Sequence, residues 1–518
     1  MKTDPTSSFW RKGTPQWLND SLHENLNTEV CIIGAGIAGL STAYFLACEG
    51  VNVIVLEAKT LASGETQKTT AHLSNAIDDR YYRIEQCHGL VKAKLAAQSH
   101  TEAIDKIETL IKRENIDCDF QRLNGYLFSP ETHSKELERE LEAAHRAGLS
   151  NVQLMSELPL SGFENHDYLL FPNQAQFNPL LYLQGLAQAI QNCGGKIFTQ
   201  TAMTEIKKKD NNLFTIKTNQ GFHIEAKALV LATNTPIINR LTIHTKQTAY
   251  QTYVIGVEIP HNSFKTGLYW DTLDPYHYIR LAKSETTLTN NEKDILIVGG
   301  EDHKTGQVQN PSRCFQRLIR WTKKYFPQAS DPVYFWSGEV LETLDGLAFI
   351  GLYPGSEKNI YIATGDSGMG MTHGTIAGLL LTDLVQQRSN PWTELYSPSR
   401  IPLKTLGTFA KKNWNVICQY TKWIPVKKLS EKKIKRGQGA IIQRKLEQVA
   451  VYRDEQGNYY EMSAFCPHFK ARLCWNAVEK TWDCPAHGSR FDCYGKVIHG
   501  PATSDLTSHK KFSLKINH

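Results

Sequence analysis

A glycine-rich turn near the amino terminus restricts the fold of this chain more than any other segment. Gly34, Gly36 and Gly39 occupy the positions of a GxGxxG pattern directly after the apolar run 30–33. A helical pattern continues to residue 49, and residues 51–56 form a second apolar run. A buried strand, a helix and another buried strand in this order predict a parallel β-α-β unit.

The same unit has the chemistry of a dinucleotide site. Gly34 allows the tight turn, Gly36 lets backbone N–H groups approach a pyrophosphate, and Gly39 lets the helix pack closely on the strand. Glu57 ends the second strand 18 residues after Gly39, where its carboxylate can accept hydrogen bonds from ribose hydroxyls. A glycine turn without a ligand is the alternative, but it does not explain the acid.

Two later loops favour FAD as the dinucleotide. A hydroxyl-rich loop that contains Ser63, Thr66 and Thr70 follows the acid, and residues 360–374 form a second strand, glycine loop and helix. Two distant glycine loops suit FAD, because the second helix amino terminus can stabilise the anionic reduced flavin. The candidate cofactor-binding residues in the second loop are Gly365, Gly368, Gly370, Met371 and Thr372.

A second motif, near the carboxyl end, contains iron ligands. Cys466 and His468 are followed, after fifteen residues, by Cys484 and His487, in the spacing C-x-H-x15-C-x2-H. Two loops that each supply one thiolate and one imidazole can place both cysteines on one iron and both histidines on the other. This is the ligand set of a Rieske 2Fe-2S cluster. A mononuclear Cys2His2 zinc site uses the same ligand types and is the alternative.

Length and cysteine usage limit the class of protein. The 518 residues predict three to five domain-sized units. No signal sequence and no apolar window of about 18 residues are present, so a cytoplasmic protein is expected. The eleven cysteines are an odd number and are predicted to be thiols or metal ligands rather than a disulfide framework.

The positive charge is concentrated in one segment. Residues 402–436 contain ten Lys and Arg and one acid, and the rest of the chain contains 48 basic and 51 acidic residues. A nucleic-acid partner is therefore not expected. Apolar residues at helical spacing predict a basic amphipathic helix there. It either packs on the flavin domain as a strut or makes peripheral contact with a membrane surface.

Residues from about 28 to 390 resemble the D-amino-acid-oxidase-like family of FAD-dependent oxidoreductases, which includes glycine, sarcosine and γ-glutamylputrescine oxidases. The matching segments are the two glycine loops, Glu57 and the segments 63–66, 228–234 and 345–351. The resemblance implies hydride transfer to flavin N5 from a carbon next to nitrogen or oxygen. It also implies a small amine or amino acid as substrate.

The resemblance also defines the expected architecture. It implies an α/β FAD-binding Rossmann-like domain with an α+β antiparallel-sheet substrate domain, followed by a small all-β Rieske domain. The oxidoreductase is predicted at residues 28–395, the basic helical linker at 396–436 and the Rieske domain at 437–518. Within the oxidoreductase, the FAD-binding parts are about 28–105, 170–240 and 345–390, and the substrate part is about 241–344.

The candidate catalytic residues follow from the same resemblance. Tyr278 and Arg280 lie on a strand that resembles the one lining the substrate side of the flavin in the family. Arg280 either pairs with a substrate carboxylate or is a structural residue. His373 either approaches the flavin or is a buried structural histidine. Sarcosine-oxidase-like members carry a lysine that assists oxygen reduction, and Ile297 or Val298 occupies that position here.

The carboxyl-terminal segment resembles Rieske domains but differs from the respiratory-chain proteins. Their two extra disulfide-forming cysteines are replaced by Ala471 and Ala486, which is consistent with a reducing compartment. Ser489 is retained, whereas Phe491 replaces a tyrosine that donates near the cluster. We therefore expect a potential below theirs but within the broad Rieske range of about −150 to +300 mV.

Together these features predict an enzyme with FAD and a Rieske 2Fe-2S cluster. Electrons from the substrate would pass from reduced flavin to the cluster, one at a time, and then to an unknown external acceptor. One alternative is an oxygen-using oxidase with a structural Rieske module. The other is a redox-sensing protein that binds both cofactors without turnover.

Overall fold

The structure is a computed structural model. It describes the backbone of residues 8–12, 14, 17, 20–131, 133–160, 162–209, 213–237, 241–283, 293–308, 310–355, 359–401, 414, 431–444 and 447–512. The helices of these segments are α1 (Ile37–Cys48), α2 (Tyr81–His88), α3 (Leu90–Arg113), α4 (Lys135–Arg146), α5 (Pro179–Asn192), α6 (Leu241–His244), α7 (Ser312–Tyr325), α8 (Gly370–Val385) and α9 (Thr393–Tyr396). Short 3-10 helices are Phe9–Arg11, Glu65–Lys68 and Glu431–Lys433.

The strands fall into two groups along the chain. Those before the basic segment are β1 (Leu26–Ile33), β2 (Val53–Leu56), β3 (His72–Leu73), β4 (Gln121–Phe128), β5 (Gln153–Met155), β6 (Tyr168–Gln176), β7 (Lys196–Phe198), β8 (Met203–Lys208), β9 (Phe214–Thr218), β10 (His223–Leu231), β11 (Gln247–Pro260), β12 (Leu268–Asp271), β13 (His277–Lys283), β14 (Lys293–Lys304), β15 (Pro332–Thr343), β16 (Phe349–Leu352) and β17 (Ile360–Thr364). Those after it are β18 (Gln438–Arg444), β19 (Glu447–Arg453), β20 (Tyr459–Ser463), β21 (Cys474–Asn476), β22 (Thr481–Asp483), β23 (Arg490–Asp492), β24 (Val497–His499) and β25 (Ser508–Phe512).

The first sheet has the topology that the glycine-rich turn predicts. Its order is β16-β17-β10-β1-β2-β7, and β17, β10, β1, β2 and β7 are parallel. Strands β8 and β9 form an antiparallel extension of β10. Ile33 is paired with Leu56 on one side and Leu231 on the other. The carboxyl ends of these strands therefore meet at one edge, beside the amino terminus of α1.

The second sheet is wider than the predicted substrate segment 241–344. Its order is β15-β11-β14-β13-β12-β4-β6-β3, with β5 paired to β6. The strands from residues 247–343 are antiparallel to one another, as predicted, and β12 joins β4 in a parallel pair. Strands β3 to β6 come from segments before residue 177, so this sheet draws on distant parts of the chain.

The carboxyl-terminal unit is all-β. It consists of two four-stranded antiparallel sheets, β18-β19-β20-β25 and β21-β22-β23-β24. Buried side chains of both sheets, including Tyr452, Met462, Trp482 and Phe491, form its core. The predicted fold class is confirmed: a Rossmann-like mixed sheet, an antiparallel sheet and a small all-β unit.

One cysteine prediction is wrong. Cys48, the last residue of α1, is joined to Cys193, which directly follows α5, in a disulfide with a Cα–Cα distance of 5.3 Å. The two helices pack side by side, and their carboxyl ends meet across a sequence separation of 145 residues. The other cysteines of the described segments form no disulfide.

The prediction of a basic amphipathic helix lies almost entirely outside the described residues. Of residues 402–436, only Trp414 and residues 431–436 are described. The strut and the membrane contact therefore remain predictions. Within the described segments, every helix is too short or too polar to cross a membrane.

Candidate functional site

A cavity of about 920 Å³ lies between the two large sheets and is closed on one side by the carboxyl-terminal unit. Its walls contain most of the candidate cofactor-binding and catalytic residues. Those in the lining are Gly34, Gly36, Glu57, Ser63, Thr66, Thr70, Tyr278, Gly368, Gly370, Met371 and His373. Gly39, Arg280, Gly365 and Thr372 are outside the lining.

The first glycine turn presents bare backbone to the cavity. Gly34 has a φ of +106°, and a Cβ there would lie 2.4 Å from the carbonyl oxygen of Ala232. A Cβ on Gly39 would lie 1.9 Å from the carbonyl oxygen of Gly34, so the helix and strand touch at this point. Gly39 therefore has the packing role that the motif predicts, while Gly34 and Gly36 face the cavity.

The residues around this turn fit a dinucleotide. Glu57 accepts hydrogen bonds from the backbone N–H groups of Ala35 and Lys59, each at 2.9 Å, and burial raises the pKa of its carboxyl group. Thr66 Oγ1 accepts from the N–H of Ile37 at 3.3 Å, and the buried hydroxyl of Ser63 has no hydrogen-bond partner. A helix amino terminus, an unpartnered hydroxyl and a terminal acid are the groups that a pyrophosphate and a ribose require.

The second glycine loop approaches the cavity from the opposite side. Gly365 and Gly368 have φ values of +71° and +80°, and Gly370 begins α8. Gly365 packs against Thr343 rather than facing the cavity. The hydroxyl of Thr372 is hydrogen-bonded to Nδ1 of His100 at 2.8 Å. The loop thus places the amino terminus of a sixteen-residue helix at the cavity.

The Arg280 guanidinium contacts backbone carbonyl oxygens and an aromatic ring. Its Nη1 atom donates to the carbonyl oxygens of Thr70, Ala71 and Phe177 at 2.9, 3.0 and 3.3 Å, and its guanidinium lies over the ring of Trp10. These bonds hold the hydroxyl-rich loop against β13. This geometry favours the structural alternative over a role in binding a substrate carboxylate.

Tyr278 and His373 both face the cavity. The Tyr278 hydroxyl is hydrogen-bonded to Thr252 Oγ1 at 2.7 Å. Nδ1 of His373 is 2.8 Å from the carbonyl oxygen of Asp366, and burial lowers the pKa of this histidine to about 4. His373 is therefore a neutral imidazole whose Nδ1 donates to a carbonyl.

Sequence analysis did not identify three cavity-lining carboxylates. Asp78, Asp302 and Asp366 line the same end of the cavity as Tyr276 and Tyr278. Asp302 follows Gly299 and Gly300 on β14, the strand paired with the one that carries Tyr278. Its strand was the available signal, because β14 pairs with the strand of Tyr278, which was predicted to line the substrate side of the flavin.

The four candidate cluster ligands lie together at one end of the carboxyl-terminal unit. Cys466 and Cys484 are buried and hydrogen-bonded to each other, and the imidazole rings of His468 and His487 have centroids 5.2 Å apart. Both ring nitrogens of His468 and Nδ1 of His487 are buried without a hydrogen-bond partner. Burial lowers the pKa of both histidines to about 4, which keeps them in the neutral form that binds metals.

This arrangement fits two irons. The thiols form one pair and the imidazoles another, as a Rieske cluster requires. A mononuclear zinc site uses the same ligand types and stays the alternative.

The ligand loops supply hydrogen bonds to the sulfurs. Cys466 accepts from the hydroxyl of Ser489 and from the backbone of His468 and Phe469. Ser489 Oγ in turn accepts from the N–H of Ala502 at 3.0 Å, which orients the hydroxyl. Phe491, at the position of the absent tyrosine, is fully buried and has no hydroxyl.

Both ligand loops pack on the large domain. The ring of His244, at the end of α6, lies 5.0 Å from the ring of His468, and Gln307 Nε2 donates to the carbonyl oxygen of Pro485 at 3.1 Å. His499 Nε2 is 2.7 Å from Thr235 Oγ1 and 3.0 Å from Glu339 Oε1. Residues of the segment 497–503 line the cavity directly.

Comparison with known proteins agrees with the assignment of a dinucleotide site and of a cluster site. The family described as FAD dependent oxidoreductase (DAO) matches residues 29–384, more than half of the chain. The chain belongs to this family. The Rieske [2Fe-2S] domain family matches residues 422–510, so the chain is an FAD-dependent oxidoreductase of the amino-acid and amine oxidase type with a carboxyl-terminal Rieske domain.

One relative matches this chain along almost its whole length. The putative Rieske 2Fe-2S iron-sulfur protein YhfW of Bacillus subtilis is 30% identical over 503 residues, covering 96% of each chain. Gamma-glutamylputrescine oxidoreductase of Escherichia coli is 25% identical and covers 74% of this chain and 90% of its own. Glycine oxidase from Geobacillus kaustophilus superposes with a TM-score of 0.60 at 20% identity, covering 73% of this chain and 99% of its own, which shows the shared fold.

Proposed function

We propose that this protein oxidises a small amine or amino acid with FAD and passes the electrons through its Rieske cluster to an external acceptor. The observation that carries the proposal is the shared cavity wall. Segment 497–503 of the Rieske domain and the two glycine loops of the FAD domain line one cavity. The two domains are therefore built around a common site rather than connected only by a linker.

The protein's own residues account for cofactor binding. Glu57, Ser63, Thr66 and the bare backbone of the first turn would hold the dinucleotide, and the amino terminus of α8 would face the flavin. Cys466, His468, Cys484 and His487 would bind the cluster. When bound, FAD supplies a two-electron acceptor for substrate oxidation, and the cluster supplies a one-electron carrier.

The contacts of the two ligand loops with the FAD domain support electron transfer from the flavin of the same chain. His468 is covered by His244, and Pro485 is covered by Gly306 and Gln307. The contacts of His468 and Pro485 turn one side of the ligand loops toward the FAD domain, as electron transfer from the flavin requires. The two rival functions do not explain why the loops that hold the cluster form this contact.

A missing lysine also argues against oxygen as the main acceptor. By resemblance to sarcosine-oxidase-like members, Ile297 or Val298 occupies the position of the lysine that assists oxygen reduction, and both residues are fully buried and apolar. Neither residue can supply the cation that the resemblance assigns to that step.

Anaerobic flavin bleaching tests the proposed function. The holoprotein is mixed without oxygen with a panel of amines and amino acids, and the flavin absorbance is followed. An oxidoreductase is bleached by its substrate, and a redox sensor is bleached only by a chemical reductant such as dithionite. Failure of every amine and amino acid to bleach the flavin would contradict the proposal.

A further inference from the structure

The end of the cavity below the antiparallel sheet is strongly acidic. Asp78, Asp302 and Asp366 line it together with the phenols of Tyr276 and Tyr278. Asp78 acts electrostatically on both other carboxylates, so the three lie within range of one another. Carboxylates are rarely grouped in a closed space unless a cation compensates their charge.

The Asp302 carboxylate has one oxygen without a hydrogen-bond partner. The Thr252 hydroxyl donates to its carboxylate, and Thr252 is itself bonded to the Tyr278 hydroxyl. Oδ1 of Asp302 is buried and has no hydrogen-bond partner. Burial and the neighbouring carboxylates, with Asp78 first among them, raise the pKa of Asp302 to about 7. Asp302 lines the cavity, and this oxygen is an acceptor to which no group of the described residues donates.

Asp78 borders the same space from the other side. It accepts a hydrogen bond from the Tyr276 hydroxyl at 2.9 Å. A Cβ on Gly368 would lie 2.1 Å from its Oδ2, so the second glycine loop passes directly over this carboxylate. Asp78 therefore connects the substrate sheet to the loop that faces the flavin.

Lys59, Lys68 and Arg490 line the cavity but are bonded to other groups, and Arg80, outside the lining, acts electrostatically on Asp78. Lys68 is bound to Glu65 at 2.9 Å, and Arg490 is bound to Asp483 at 3.1 Å. Burial lowers the pKa of His72 to about 3, so it is neutral. Arg11 is an exposed residue of the amino-terminal 3-10 helix that also lines the cavity. Arg11 is therefore the cation that is substituted in the test below.

We propose that this end of the cavity binds the ammonium group of an amine that lacks a carboxylate, with Asp302 and Asp78 as its anionic partners. This inference rests on the proposed function and narrows its substrate class from amines and amino acids to cationic amines. An ammonium group brings three donors, one of which satisfies Oδ1 of Asp302, and its charge compensates the buried carboxylates. An amino acid would add a further carboxylate to a site that already contains three.

The test compares each amine with a counterpart in which a carboxylate replaces one end group, a methyl or an aminomethyl group. Ethylamine is compared with glycine, and 1,4-diaminobutane with 4-aminobutanoate. Binding to the oxidised holoprotein is measured anaerobically by calorimetry, and the half-saturating concentration of flavin bleaching is measured wherever bleaching occurs. The amines are expected to bind at least about tenfold more tightly than their carboxylate counterparts, a difference of one decade in Kd.

Variants then test the assigned residues. Asp302→Asn is expected to raise the Kd for 1,4-diaminobutane about tenfold or more, and Asp302→Glu is expected to restore most of the affinity. Asp294→Asn, on the same strand but paired with His261 outside the cavity, is the matched control and should leave the Kd unchanged. FAD content is measured for each variant, so that a folding defect is recognised.

The outcomes separate this inference from the proposed function. If glycine bleaches the flavin, ethylamine does not, and Arg11→Gln removes glycine binding, the proposed function stands and this inference is wrong. If no ligand bleaches the flavin, the proposed function is wrong, and the calorimetric comparison still decides the inference. Equal affinity of Asp302→Asn and the parent protein for 1,4-diaminobutane would also overturn it.

Discussion

At the scale of single residues, the cluster site shows how its potential is set. The thiol of Cys466 accepts a hydrogen bond from Ser489, whose hydroxyl is fixed by the N–H of Ala502. Phe491 is buried and offers no second hydroxyl. Hydrogen bonds to cluster sulfurs stabilise the reduced, more negative state and raise the potential. With one such side-chain donor, a moderate Rieske potential stays the prediction.

Removal of that donor should lower the potential. Ser489→Ala is expected to lower the midpoint potential by roughly 60 mV, the equivalent of one decade in a one-electron equilibrium. Ser489→Thr keeps the hydroxyl and is the control, with a smaller change. Redox titration followed by EPR measures both variants. An unchanged potential in Ser489→Ala would show that this hydroxyl does not act on the cluster.

The histidine pair allows a direct test of the cluster type. His487→Ala should abolish the Rieske visible and EPR signals while FAD stays bound, because the ligand loops and the glycine turns belong to different folded units. Metal analysis of the parent protein accompanies this experiment. One zinc per chain and no iron would contradict the assignment.

These ligands were predictable from the sequence because each pair lies within four residues on one loop. Asp302 was not, because its significance depends on Thr252, Asp78 and the cavity, which long-range sheet pairing brings together. For Arg280, the sequence predicted the strand but not the contacts of the side chain. Its position on the predicted strand was correct, but the carbonyl oxygens that occupy its guanidinium come from loops more than 100 residues away.

At the scale of secondary-structure elements, the glycine turns determine how closely a bound cofactor can approach the amino terminus of each helix. The turn before α1 exposes backbone to the cavity at Gly36, where a Cβ would lie 3.0 Å from Thr66 Oγ1. Local periodicity predicted this β-α-β unit and the later pair β17 and α8. Strands β3 to β6 were not assigned to the antiparallel sheet, because pairing between distant segments leaves no local pattern.

Bulk at the first turn should prevent cofactor binding. Gly36→Val places a branched side chain against Thr66 and in the path of the pyrophosphate, and is expected to yield largely flavin-free protein. Gly36→Ala should retain more FAD, since its added group is smaller. Flavin released on denaturation is quantified per chain. Full flavin content in the valine variant would mean that this turn is not the phosphate site.

A second glycine tests the contact between the domains. Gly306 has a φ of +70°, and a Cβ there would lie 2.9 Å from the backbone nitrogen of Pro485 in the second ligand loop. Gly306→Ala should therefore displace this loop and slow cluster reduction after flavin reduction. Gly221→Ala is the matched control, because Gly221 has a φ of +87° and no atom within 4 Å of its added Cβ.

Stopped-flow spectroscopy of the two alanine variants measures this contact. Both carry the same kind of backbone strain, so a defect in Gly306→Ala alone is due to the lost docking. Equal rates of cluster reduction in both variants would show that the ligand-loop contact does not serve electron transfer.

At the scale of the whole molecule, the Rieske domain is part of the oxidoreductase cavity. Lys59 Nζ donates to the carbonyl oxygen of Ile498 at 3.2 Å, and Ser337 donates to Glu479 across the same interface. Removal of residues 437–518 would open this wall and expose buried charges. A cluster-free variant of the intact chain, His487→Ala, is therefore the better comparison for electron flow.

The most direct test of the account follows the order of reduction. The intact holoprotein is mixed rapidly and anaerobically with the substrate found by flavin bleaching, and the flavin and cluster absorbances are recorded separately. Flavin bleaching should come first and cluster bleaching should follow it, whereas His487→Ala should show the flavin phase alone at a similar rate. A cluster that stays oxidised in the intact protein, while the reduced flavin reacts quickly with added oxygen, would contradict the relay and support the oxidase function.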